Sequence, residues 1–175
     1  MFEVNDVIVY GTQGVCRIAA LEEKNISGTL KQYFVLKPVH DTGATVFVPT
    51  ENAHVLKKMR KVLSEEEINT LIDAMAQKDA VWIPGENERK ERYKRMLASG
   101  DHLELISMLK GIYAHKKSRE AEGKHLHMSD ERFFKDAEQM LYNEFLYVLK
   151  LADRDALMAY IEARIGSNGN TAAEV

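Results

Sequence analysis

The sequence predicts an α+β protein, in which a small N-terminal β-barrel precedes an all-helical region of about five helices. Three observations carry this. The first is that β-branched and aromatic residues crowd short, glycine-punctuated runs up to about residue 60. From Leu63 onward, second, apolar residues recur at helical spacing. Third, 175 residues with 45% hydrophobic composition suit one domain or two small ones.

The strands are read in order at 6–10, 14–21, 31–39 and 45–49, with 55–58 as a closing strand. Gly11, Gly14, Gly28, Gly43 and Pro49 separate them, and Ser27-Gly28 and Asp41-Thr42-Gly43 are hairpin signals. In 31–39, Tyr33, Val35 and Lys37 take one face and Phe34 and Leu36 the other. Sixty residues leave no room for a seven-stranded sandwich, so a barrel is the expected closure.

Ser64-x-x-Glu67 is a capping box that opens a helix striped by Ile68, Leu71, Ile72 and Met75. Pro84 and Gly85 break the pattern. A charged helix follows over 86–98, and Gly100 sits at its C-terminal stop. Asp101 caps the next helix, which is expected to bury Leu105, Ile106, Leu109, Ile112 and Tyr113 and to end at Gly123. Ser129 is expected to cap the longest helix, to about Lys150, with Phe134, Ala137, Leu141, Phe145 and Val148 inward. A last helix over 153–165 precedes a polar tail, 166–175, expected to be disordered. The expected organisation is a barrel domain (1–60), a helical domain (61–165) and that tail.

Composition narrows the function. The charged fraction is 29% and no apolar run reaches the roughly 18 residues of a membrane helix, so no membrane partner is expected. The N-terminus, MFEVNDVIVYG, has no basic region or cleavage site of a secretory signal. The single cysteine, Cys16, excludes an internal disulfide, and a cytoplasmic protein is expected. The net charge of −3 conceals segregation: residues 89–132 carry eleven cations against seven anions, a net of +4, while acidic stretches flank them. Such a region fits either a modest phosphate-binding face or a solvated helix surface of mixed charge.

Catalytic constellations are missing. There is no phosphate-binding glycine loop and no G-x-S-x-G elbow, so neither an enzyme nor a cofactor is expected. His125-x-His127 with Asp130 and Glu131 is the nearest approach to a metal set, and a polar loop before a helix explains it equally. Binding signals are stronger. Arg89, Lys90, Arg92, Lys94 and Arg95 place five cations within seven residues, and Lys116, Lys117 and Arg119 form a second cluster. Interleaved Glu88 and Glu91 weaken that field. Trp82, beside the basic helix, is either a core anchor or an exposed ring able to wedge into distorted DNA. Phe47 is similarly divided between core and interface.

At this point the residues resemble the CarD/CdnL family of bacterial transcription regulators, from Phe2 to about Ile165. The carrying stretches are Phe2-x-Val4-x-Asp6-x-Ile8-Val9-Tyr10, Gly14-Val15, Ile26-x-Gly28 and Tyr33-x-Val35-Leu36-Lys37. Val48-Pro49-x-Glu51-Asn52, Leu97-Ala98-Ser99-Gly100-Asp101 and Ala137-x-x-Met140-Leu141-x-x-Glu144 continue the series. The resemblance implies a Tudor-like N-terminal domain that binds the RNA polymerase β subunit. It implies a helical domain that contacts promoter DNA at the upstream edge of the bubble and stabilises the open complex. In the family a tryptophan wedges into the minor groove.

Carried over residue by residue, Lys24 and Ile26 fall in the polymerase-contacting hairpin. Phe47 stands where relatives often have Arg. The family wedge would fall near Glu86, about four residues after Trp82, and Glu88 and Glu91 stand where relatives are often basic. A protein–protein adaptor whose helical domain binds protein rather than DNA is the alternative, favoured by that Glu-interrupted helix.

Overall fold

A computed structural model describes residues 2–26, 28–41 and 43–170 of the chain, with side chains through residue 166. It divides into two compact units, Met1–Leu63 and Ser64–Val175. Ser27, Thr42 and residues 171–175, on which parts of both hairpin signals and of the expected tail fall, lie outside the described residues.

The first unit contains β1 (Val7–Tyr10), β2 (Val15–Ile26), β3 (Thr29–Pro38) and β4 (Val46–Pro49), then a one-turn helix α1 (Ala53–Leu56) and β5 (Met59–Lys61). Among the described residues the strands form one antiparallel sheet in the order β4-β3-β2-β1-β5. Its two edge strands contribute Val48 and Met59 to the same buried cluster as Ile8, Cys16, Ile18 and Leu36. A flat sheet could not bring both edges to one core, so this sheet curls around it as a small barrel. The alternation read in β3 holds, since Phe34 and Leu36 face the cluster.

One strand is corrected. Residues 55–58 do not close the sheet, because Asn52 accepts hydrogen bonds from the His54 and Val55 amides at 3.1 and 3.3 Å and turns the chain into α1. That N-cap delays the closing strand to Met59, whose side chain is buried in the core.

The second unit holds α2 (Glu65–Gln77), α3 (Glu86–Ser99), α4 (His102–Ala121), α5 (Met128–Leu149) and α6 (Arg154–Asn170). The capping box at Ser64 forms in both directions, with Ser64 Oγ accepting from the Glu67 amide at 3.1 Å and Glu67 from the Ser64 amide at 2.7 Å. Gly100 ends α3 at φ +66°, a conformation that favours glycine.

Three expectations change here. α5 starts one residue before Ser129, because the Asp130 and Glu131 amides close its first turn on the His127 carbonyl. Tyr113 is 52% exposed rather than in the core. α6 runs past residue 165 to Asn170, so the first half of the expected tail is helical.

Candidate nucleic-acid and protein interfaces

On the barrel, the register of the long β2–β3 hairpin decides which side chains share a face. Lys24 pairs with Lys31, Glu22 with Tyr33 and Ala20 with Val35, and Val35 pairs in turn with Phe47 of β4. Lys24, Ile26, Tyr33 and Phe47 therefore lie on one side of the sheet, opposite the face that carries Phe34 and Leu36 into the core. The extra residue at the Ile18/Ala20 register shift sets this parity for the outer half of β2. Lys24 Nζ sits 3.4 Å from the centroid of the Phe47 ring, a cation–π contact. Phe47 and Ile26 remain 41% and 50% exposed. Phe47 thus belongs to the surface rather than the core, and of the residues read as a polymerase contact the structure brings Lys24 onto its ring and leaves Ile26 on the same face.

In the helical unit the connector between α2 and α3 is tied to both α3 and α4. The Val81 amide donates to the Ser107 carbonyl of α4 at 2.9 Å, and the Val81 carbonyl accepts from Tyr93 Oη of α3 at 3.2 Å. Gly111 makes this approach possible: a Cβ there would lie 1.9 Å from the Val81 oxygen. Burial pushes the Tyr93 hydroxyl up to about 12, so it remains a donor.

Arg89 was expected among exposed cations, and that is corrected: it is 3% exposed. Its Nε and Nη2 donate to the two Asp130 oxygens at 2.9 Å each, and Nη1 donates to the carbonyls of Ile83 at 2.8 Å and Pro84 at 3.2 Å. The physical reason is the helix period: Arg89 lies on the same stripe as Tyr93, Met96 and Leu97, the buried face of α3. Its hydrogen bond with Asp130 holds the guanidinium above its ordinary pKa.

Trp82 is held in the same place. Its ring stacks on His115 of α4, with centroids 3.7 Å apart and planes at 17°, and the Arg89 guanidinium carbon lies 4.3 Å from its centroid. The indole is half-buried rather than a fully buried core plug. Burial, with Arg119 and Arg89 next in weight, lowers the His115 pKa, so the stacked imidazole is neutral at pH 7.

The remaining basic residues are on the surface, most of them in small ion pairs. Lys90 meets Glu86 at 2.6 Å, Arg92 meets Glu104 at 3.0 Å, Lys94 meets Glu91 at 3.0 Å and Lys116 meets Glu120 at 3.9 Å. Arg119 Nε donates to the His125 carbonyl at 3.0 Å, while Arg95 is exposed. Lys117 Nζ lies 5.5 Å from the Tyr113 ring, an exposed aromatic–cation pair that the sequence reading missed by placing Tyr113 in the core. Lys90 and Lys94 project from one flank of α3, Arg92 and Arg95 from the other, so the five-cation run is not one face.

Two carboxylates named in the sequence for other reasons are buried, which nothing local in the sequence signals: Asp130, and Glu144, which meets His102 Nε2 at 3.0 Å. Asp130 is occupied by Arg89, and among the described residues no group of three or more His, Cys, Asp and Glu side chains is arranged to hold a metal ion. Nor is any described helix long and apolar enough to cross a membrane.

Comparison with known proteins fits this geometry to a family. The profile of the CarD-like/TRCF RID domain matches residues 2–63, which is the barrel unit. A protein of Bacillus subtilis (strain 168), the "Putative transcription factor YdeB", is 30% identical over 159 residues, covering 86% of this chain and 93% of the relative. The chain belongs to the CarD-like family. Its similarity to the Bacillus relative extends through both units.

Proposed function

We propose that this CarD-like protein regulates transcription by binding RNA polymerase with its barrel unit and promoter DNA with its helical unit. The barrel takes the polymerase β subunit. The helical unit touches DNA at the upstream edge of the bubble and lengthens the life of the open complex. The observation that carries the reading is the match of residues 2–63 to the RID domain on a unit whose Lys24, Ile26 and Phe47 share one exposed face. Phe47 and Ile26 supply apolar area there, and Lys24 supplies a charge already positioned over an aromatic ring.

On the DNA side, Lys90, Arg92, Lys94, Arg95, Lys116, Lys117 and Arg119 are the candidate phosphate contacts, and Trp82 the candidate base-step contact. Arg89 is not among them, because its guanidinium is engaged within the unit. Surface ion pairs such as Lys94–Glu91 are worth about 0–1 kcal/mol, so a phosphate can displace the carboxylate. DNA affinity is accordingly modest, and tethering to polymerase supplies the effective concentration.

The test uses full-length protein. Lys24→Glu and Phe47→Ala are expected to weaken β-subunit binding, each by about 1 kcal/mol or more, without changing thermal stability. Lys90→Ala with Lys117→Ala is expected to shorten open-complex lifetime and spare β-subunit binding, and the difference from wild type shrinks as salt rises. Undiminished β-subunit binding by both barrel variants would overturn the polymerase assignment. The carboxylate pairing of Lys90, Lys94 and Lys116 favours a second reading, an adaptor whose helical unit binds protein. A lifetime loss that does not vary with salt would select it.

A further inference from the structure

We propose that Arg89 is a positioning residue: paired with Asp130, it fixes the connector 81–84 and thereby holds the Trp82 indole in one preset pose against His115. The proposal takes the DNA-contacting role of Trp82 from the reading above, and its first readout does not depend on that role.

The argument starts from what a desolvated ion pair does. Removing both partners from water offsets most of their mutual attraction, so a buried pair adds little net stability compared with well-packed apolar side chains. What the pair adds instead is direction. The planar guanidinium has five donors in a fixed fork. Here four contacts use it: two to the Asp130 carboxylate of α5 at 2.9 Å, and two to the connector carbonyls of Ile83 and Pro84 at 2.8 and 3.2 Å. The same group lies 4.3 Å from the Trp82 ring centroid.

One side chain therefore couples the connector backbone, the indole and the first turn of α5. The other end of the connector is pinned separately, by the Val81 amide on Ser107 and by Tyr93 on the Val81 carbonyl. A half-buried aromatic at a helix break would otherwise sample several rotamers, and each would have to be frozen out on binding. A ring fixed beforehand avoids that cost.

Trp82 is the chain's single tryptophan, so its emission reports on this site alone. The measurements are fluorescence anisotropy and acrylamide quenching of the full-length protein without DNA, with thermal melting followed by circular dichroism. Arg89→Lys keeps the charge but loses the fork. The double variant Arg89→Met/Asp130→Leu removes both buried charges at similar volume. The double variant is expected to melt near the wild type and Arg89→Lys somewhat below it, while in both anisotropy falls and the quenching constant rises severalfold. Tyr93→Phe, which deletes only the hydroxyl bond to Val81, serves if either variant fails to fold, and a smaller shift in the same sense is expected.

Unchanged anisotropy and quenching in a folded Arg89 variant would overturn the proposal, as would an unchanged Tyr93→Phe signal where no Arg89 variant folds. Open-complex lifetime is then measured with the same variants. A loosened indole with a lifetime severalfold shorter supports both the positioning role and the DNA contact. A loosened indole with unaltered lifetime keeps the positioning role and overturns the DNA contact of Trp82.

Discussion

Ser107 and His115 show how tightly the middle of α4 is engaged by the connector, and each carries a measurable consequence. The Ser107 carbonyl receives the Val81 amide, but the residue is 2% exposed and its hydroxyl has no hydrogen-bond partner among the described residues. An orphaned buried hydroxyl costs about 1–3 kcal/mol of desolvation. Ser107→Ala is therefore expected to leave stability unchanged or to raise it, as read from chemical denaturation of the variant.

His115 is packed on Trp82 and faces Arg119, Arg89 and His127, with Asp130 the opposing charge. Burial, then Arg119 and Arg89, depress its pKa, so the unfolded chain takes up the proton more readily than the folded one. The sign follows: stability is full above the ordinary histidine value of 6.5 and is lost as pH falls through the lower folded-state value. An NMR titration of the His115 ring is expected to give a midpoint below 6.5 in the folded protein. A midpoint at or above that value would mean the stack favours the imidazolium.

At the scale of elements, the ends of the helices differ in how well they are finished. α3 stops on Gly100 at φ +66°, but α5 stops on Lys150 at φ +54°, where a side chain meets the left-handed region with steric strain. Lys150 is exposed and its side chain has no role in the core. Lys150→Gly is expected to stabilise the helical unit by about 0.5–1 kcal/mol, a gain read as a higher denaturation midpoint with an unchanged slope. α2 solves its own end differently: Lys110 of α4 donates to the Met75 and Lys78 carbonyls at 2.7 and 2.6 Å. That lysine, counted among the basic residues of the middle region, therefore serves as a cap instead of a surface charge.

For the whole molecule, each unit buries apolar residues of its own and carries a probe of its own. Cys16 is fully buried in the barrel, where burial pushes its thiol up to about 11, so it is inert until that unit opens. Trp82 reports on the helical unit alone. In a denaturant series, thiol labelling of Cys16 and emission of Trp82 are expected to give separate transitions, because each unit buries its own apolar residues. Coincident transitions at every denaturant concentration would show that the two cores unfold as one cooperative body.

Local chemistry carried the elements into view from the sequence alone. The capping box at Ser64, the Asp101 cap, the Gly100 stop and the alternation through Phe34 and Leu36 depend on residues within a few positions of each other, so they could be read before any coordinates. The same holds for the family motifs and for Lys24 and Ile26 on their hairpin.

What depended on long-range pairing could not be read that way. Arg89 looked like one of five surface cations until Asp130, 41 residues away, was found within 2.9 Å of it. Phe47 stayed divided between core and surface until strand register placed it beside Lys24. Trp82 stood between core and surface until a ring 33 positions distant, His115, held it half-buried. Caps and turns are decided by nearest neighbours, whereas the burial of a charge or the pose of an aromatic is decided by the partner that tertiary packing delivers to it.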